Sequence, residues 1–205
     1  MGCHPAICIG HLNIIDHLIL GLSAQGLTPP FDSESSFIRP VAFQAWEPLM
    51  EGLTRGDLQG AFLPAPAAIH LFSRGLEIQI PMFAHRGGSM VVSRNLSADA
   101  ALSGFRGKSV LVPLQLSVQH LLIHRLLASA GIHAGPQGAP DAQTVVETAA
   151  PAMMQEMMAL DQDQDIAGFC SAEPFASLAV EAGVARALCT TASLWKNHPC
   201  CVLAL

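Results

Sequence analysis

Residues 6–24 read AICIGHLNIIDHLILGLSA, and a change of period inside them decides the fold. Ala6 to Leu12 is an almost continuous apolar run, as expected of a strand buried on both faces. From Asp16 to Ala24 the period becomes helical, with Asp16 placed to cap the first turn and Gly26 to stop the helix.

The same strand–turn–helix unit recurs outward from this stretch. Strands are expected at Arg39 to Phe43, Leu58 to Leu63, Ile78 to Met82 and Ser89 to Ser93. A helix from Trp46 to Leu53 ends near Gly56, and another opens at Pro64 and Pro66, runs to Ser73 and stops at Gly75. In the second half, strands are expected at Ser109 to Pro113, Thr144 to Glu147, Ile166 to Cys170, Val184 to Thr190 and Cys200 to Leu205. Helices are expected from Ser117 to Ala130 (capped by Ser117 and stopped by Gly131), Ala150 to Leu160 and Glu173 to Glu181. Regular alternation implies parallel or mixed sheets covered on both faces, with ligands bound beyond the carboxyl ends of the strands. The polar stretch His85-Arg86-Gly87-Gly88, inside 83–95, marks the boundary between two lobes.

Composition narrows the function class. An apolar fraction of 51% against 13% charged residues supports a sizeable core and excludes a disordered chain. The net charge of -6 supplies no basic stripe to neutralise phosphates, so no nucleic acid is expected as partner. The apolar run Ile14 to Leu22 is broken by Asp16 and His17 and falls short of the ~20 residues a membrane span needs. The N-terminus shows no secretory leader, which is compatible with a cytoplasmic or a processed exported chain. The six cysteines contain no CxxC pair, which argues against a zinc ribbon. Adjacent Cys200 and Cys201 read as metal ligands, as a redox site, or more plainly as two small apolar residues of a strand.

Several segments together resemble one family. They are Gly10 to His17; Trp46-Glu47-Pro48-Leu49 followed by Gly56-Asp57-Leu58-Gln59-Gly60-Ala61; Phe105-Arg106-Gly107-Lys108-Ser109-Val110; Phe169-Cys170-Ser171-Ala172-Glu173-Pro174-Phe175; and Leu194-Trp195-Lys196-Asn197-His198-Pro199. Taken in order, they resemble the nitrate/sulfonate/taurine/bicarbonate solute-binding proteins of ABC transporters, over nearly the whole chain. The resemblance implies an α/β fold of the periplasmic-binding-protein type II, two α/β lobes with a ligand cleft between them. Lobe one would comprise residues 1–84 plus 198–205, and lobe two residues 85–197. It implies a small anionic or polar ligand, no cofactor, an ABC permease or a regulatory protein as partner, and a periplasmic or extracellular location. A cytosolic sensor, or an enzyme of the thiamine-pyrimidine or menaquinone-precursor type, is the alternative on the same scaffold. Relatives of this kind continue past the "H-P" segment, so a shortened lobe one suggests a homodimer.

The pocket positions carry over in part. Trp46 matches the nitrate branch's pocket tryptophan. Its glutamine aligns near Gly88, its histidine near Gln119 beside His120, and its lysine with Cys201. Loss of that lysine removes the obvious charge partner of nitrate or bicarbonate.

The residues themselves suggest a wider ligand set. Three helix starts offer free N–H groups: Asn13 to His17, Pro64 to Ala67, and Ser117 to His120. The resulting candidates are Asn13, Trp46, Pro64, His85, Gly88, Ser117, Gln119, His120, Ser171 and Glu173. Competing structural roles are an N-cap for Ser117, core packing for Trp46 and helix capping for Glu173. Arg86 reads as an anion clamp or as a surface arginine. His120 and His124 share a helix face at i, i+4 and could hold a metal, yet the HExxH acid is missing, so no metal is expected there. Met153, Met154, Met157 and Met158 read as core filler. Lys196 and His198 are candidates for fixing the return to lobe one. No G-x-S-x-G elbow, P-loop or G-x-G-x-x-G stands in the chain, and no catalytic residue is assigned.

Overall fold

The computed structural model describes residues 7–24, 38–94 and 102–205. They divide into two units, Met1–Arg86 with Pro199–Leu205, and Gly87–His198. Each unit is built on one mixed sheet.

In the first unit the strands are β1 (Ile7–Leu12), β2 (Ile38–Phe43), β3 (Gly60–Pro64), β4 (Met82–Phe83) and β11 (Cys201–Ala204). Their order is β2-β1-β3-β11-β4. β1 runs parallel to β2 and β3, and β11 is antiparallel to β3 and β4. The helices are α1 (Leu18–Ala24), α2 (Trp46–Thr54) and α3 (Ala65–Ser73). On one face Ile9, Leu20 and Phe62 pack together. On the other, α2 and the segment that follows it approach so closely that a Cβ on Gly10 would stand 3.0 Å from Leu49 Cδ1 of α2 and 2.6 Å from Leu58 Cδ1. The glycine in β1 is therefore what lets α2 lie flat on the sheet.

The second unit has β5 (Ser89–Ser93), β6 (Ser109–Val112), β7 (Ala134–Gly135), β8 (Thr144–Thr148), β9 (Ile166–Ala172) and β10 (Arg186–Thr190), in the order β10-β5-β9-β6-β8-β7. Its helices are α4 (Val118–Ser129), α5 (Pro151–Leu160), α6 (Phe175–Glu181) and α7 (Thr191–Leu194). Successive side chains on the central strands alternate between two cores, as the pleat requires. Val91, Val110, Val112 and Cys170 join Ile123 and Leu127 of α4. Val92, Leu111 and Phe169 join Met154 and Met158 of α5 and Ala176 and Ala179 of α6. Helices thus cover both faces, which is why these strands read as unbroken apolar runs.

Four sequence expectations are corrected. Asp16 caps nothing: a 3-10 turn spans Ile15–His17, its cap position is Ile14 with no side-chain bond, and Asp16 is buried. The strand expected from Ile78 to Met82 is reduced to Met82–Phe83, because Gln79 exchanges backbone hydrogen bonds only with Leu205, at 2.9 and 3.0 Å. Met153 is not core filler; it is exposed, while Met154 and Met158 are fully buried. The helix expected from Glu173 starts at Phe175, after a cis Glu173–Pro174 bond. Gly26, read as the stop of α1, lies outside the described residues.

Candidate functional site

Each unit gathers polar side chains at the carboxyl ends of its strands. In the first unit β1 ends at Leu12, and the chain turns at once through Asn13, which is exposed, into the 3-10 turn that tucks Asp16 and His17 inward. β11 enters the sheet beside the end of β3, with Cys201 paired to Pro64. The Cys200 carbonyl accepts from Ala65 N–H at 3.0 Å, its N–H donates to the His85 carbonyl at 3.1 Å, and Ala84 N–H donates to the Cys201 carbonyl at 2.9 Å. Arg86 and Pro199 close the clasp as an isolated bridge. These bonds bring His85, Cys200 and Cys201 together, and the 3-10 turn sets Asp16 against them.

Asp16 Oδ1 stands 3.3 Å from His85 Nδ1. Removal from water, reinforced by the neighbouring Cys200, raises the Asp16 carboxyl to about 8, against the opposing pull of His85 and Cys201. The Cys201 thiol is held well above the ordinary thiol range by its contact with Cys200 and by burial. Burial likewise pushes His17 down to about 3, against the Leu12 backbone bond that favours its charged form. His17 Nδ1 lies 3.0 Å from Leu12 N and 3.1 Å from its carbonyl oxygen, and the ring tautomer decides which bond forms. The His17 ring meets Trp46 edge-on at 5.7 Å and lies tilted on Phe62 at 5.3 Å.

Trp46 is the first residue of α2 and is buried. Its indole Nε1 is enclosed with no hydrogen-bond partner among the described residues. Pro64 ends β3 and precedes α3, where Pro66 occupies the first turn.

The second unit holds the remaining candidates. Ser117 caps α4, accepting from His120 N–H at 3.1 Å and donating to the Leu114 carbonyl at 2.6 Å, so the capping role is the observed one. Gln119 is buried and donates to Ser89 Oγ at 2.8 Å, and Thr191 Oγ1 donates to the Ser89 carbonyl at 3.0 Å. Ser89 opens β5 opposite Ala172, so this group sits at the carboxyl end of β9. Ser171 lies there too, fully buried, its Oγ without a partner among the described residues. Gly88 takes φ 70 after Gly87 at φ 72, a left-handed pair that only glycine adopts readily, and its carbonyl accepts from Glu173 N–H at 3.2 Å. The Glu173 carboxylate accepts from Ser177 N–H at 3.2 Å and thus caps the first turn of α6. His120 is half-buried beside His124. Arg86 lies over the Phe83 ring at 4.5 Å. The His198 carbonyl accepts from Gly87 N–H at 3.1 Å, a bond that joins the two ends of the second unit.

Residues 6–205 match the model of one family. The chain belongs to the NMT1-like family. Its fold is that of the type II periplasmic binding proteins. This NMT1-like chain is similar to the zinc-bound ligand-binding component of an ABC-type import system from Staphylococcus aureus, with a TM-score of 0.82 and 23% identity over 98% of this chain and 66% of that one. It is also similar to the periplasmic nitrate-binding protein NrtA of Synechocystis, at TM-score 0.80 and 18% identity over 98% of this chain and 55% of that one. Over 180 residues it is 30% identical to the nitrate import ATP-binding protein NrtC of Synechococcus elongatus, covering 80% of this chain and 26% of that protein. The NMT1-like chain thus spans about a quarter of the nitrate import protein, about two thirds of the first solved chain and just over half of the second.

Sequence reasoning did not find Asp16, His17 or the pairing of Asp16 with Cys200 and Cys201. The usable signal was an acid and a histidine interrupting the apolar run Ile14 to Leu22, where both must be buried if the run is.

Proposed function

We propose that this chain binds a small polar solute at the carboxyl-terminal strand ends, as a solute-binding protein of an ABC-type importer, with an import permease as its partner. The observation that carries the reading is a pair of buried, unsatisfied polar groups at those ends, Trp46 Nε1 and Ser171 Oγ. Buried polar atoms without a partner are rare in native proteins, and a bound solute or ordered water is the usual reason for one. Family membership over residues 6–205 and the names of two relatives, each part of an import system, support the same reading. A periplasmic or extracellular site of action follows from it, and no described helix is long and apolar enough to cross a membrane.

The first unit also speaks to ligand choice. Cys201 stands where the nitrate branch carries a lysine, grouped with Asp16 and Cys200, so the reading disfavours nitrate and bicarbonate. A thermal-shift screen of nitrate, sulfonates, amino acids and pyrimidines, with native mass spectrometry, tests the proposal, because a ligand of the folded state stabilises it by mass action. One chemical class should raise Tm with a bound mass. A flat response across all four classes overturns it.

A further inference from the structure

The cluster at the end of β1 has chemistry that solute binding does not use. Asp16 is 2% exposed, Cys200 1% and Cys201 2%. A carboxyl group so far from water is costly unless it stays protonated or meets a cation. Its one ion-pair partner among the described residues is His85, and the other groups against it are two thiols. A carboxylate oxygen of Asp16 and the sulfurs of Cys200 and Cys201 all lie within 4.8 Å of one another.

We propose that Asp16, Cys200 and Cys201 form a binding site for a thiophilic divalent cation of the zinc class, with His85 as the fourth donor.

The geometry fits that ion. Zinc bonds of about 2.0–2.3 Å set tetrahedral donors roughly 3.3–3.8 Å apart. The 3.3 Å between Asp16 Oδ1 and His85 Nδ1 already matches. The sulfurs, within 4.8 Å of each other and of the Asp16 oxygen, have to close by at most about 1–1.5 Å to reach that spacing, on a backbone held by the clasp at 84–86 and 199–201. Two sulfurs, a carboxylate and an imidazole make a soft, mixed donor set. It favours zinc, and cobalt as its probe, over magnesium and calcium, which take oxygen ligands. Binding forms two metal–sulfur bonds, one metal–oxygen bond to Asp16 and one metal–nitrogen bond to His85, and sends the two thiol protons and the Asp16 carboxyl proton to solvent, with no change of oxidation state. The His85 side chain, 29% exposed, gives the ion a way in from solvent. This inference rests on the cluster alone and holds whichever small solute the chain takes.

The test uses the full reduced chain, stripped of metal and free of solute, titrated with cobalt(II) and then zinc. One cobalt per chain should bind with a sulfur-to-cobalt charge-transfer absorption, and zinc should bleach it. Zinc should also raise Tm, while magnesium should not. Asp16→Asn, Cys200→Ser and Cys201→Ser should each weaken binding by more than about tenfold. Cys189→Ser, a cysteine of the other unit, should bind as the parent does. Absence of the sulfur absorption in the parent chain overturns the proposal. So does an absorption that survives in the Cys200→Ser/Cys201→Ser double variant. If a cysteine variant fails to fold, the zinc X-ray absorption spectrum of the parent decides: sulfur bonded to the metal supports the site, and nitrogen and oxygen alone overturn it. A failed solute screen leaves this outcome untouched, so the two readings fail separately.

Discussion

His120 Nε2 and His124 Nε2 lie 3.2 Å apart on α4, their rings edge to face at 4.5 Å. At that distance one neutral ring can donate its N–H to the other, but two imidazolium rings would repel. Burial lowers both rings below the ordinary 6.5; the neighbour adds to the effect, His124 for His120 and His133 for His124. The unfolded chain therefore takes up protons first as pH falls. Stability from this pair is complete above the ordinary pKa and is lost as pH drops below it, towards the lowered folded values. Denaturant midpoints measured between pH 8 and 5 should fall more steeply in the parent than in His120→Gln/His124→Gln. Equal slopes would mean that the pair is not coupled to folding.

The cap of α4 is the next testable contact. Ser117 Oγ accepts from His120 N–H and donates to the Leu114 carbonyl, inside a buried corner. Ser117→Ala removes both bonds and should cost about 1–2 kcal/mol in urea unfolding. Ser117→Asn or Ser117→Asp should recover less than a surface cap would, because Ser117 is 2% exposed and a longer side chain must be buried there. Full rescue by either would show that the corner is looser than the burial implies.

Two glycines predict opposite signs. A Cβ on Gly168 in β9 would stand 2.1 Å from the Val92 carbonyl oxygen and 3.0 Å from Ser93 Cα, both backbone atoms that cannot turn aside. Gly168→Ala should cost about 3 kcal/mol, the upper end of an overpacked core. A Cβ on Gly21 in α1 would meet nothing within 4 Å. Gly21→Ala should stabilise the chain by about 0.5–1 kcal/mol through lost unfolded-state freedom. Thermal melts of the two variants against the parent check both signs.

Most of the fold was legible because its signal is local. Apolar runs such as Ile7 to Leu12, caps such as Ser117 and stops such as Gly131 each act within a few residues. Candidate positions came from resemblance, as at Trp46 and Ser171, or from a helix start, as at Ser117 and Gln119; the structure puts Gln119 and Ser171 at the same end of β9. Gly88, next to Ser89, was found for its alignment, yet it is Ser89 whose hydroxyl accepts the Gln119 bond. The Asp16 cluster was missed because its partners come from opposite ends of the chain, and pairing them requires the register of Cys201 against Pro64. Asp16 also satisfied the local pattern of a cap, and tertiary burial overrode that pattern.

Trp46 separates packing from recognition. It is 3% exposed and packs against His17, so Trp46→Ala should lose about 3–5 kcal/mol of core packing and cannot report on a ligand cleanly. Trp46→Phe keeps a ring and deletes only the enclosed N–H, which has no partner among the described residues. Deleting an unsatisfied donor should leave stability within about 1 kcal/mol of the parent. If that N–H donates to the solute, affinity for whichever class shifts Tm should fall by about tenfold, the worth of roughly 1.4 kcal/mol. Isothermal titration of parent and Trp46→Phe makes the comparison. A Trp46→Phe chain that melts as the parent does and binds equally well would assign the indole to the core of α2 and leave recognition to the Ser171 end.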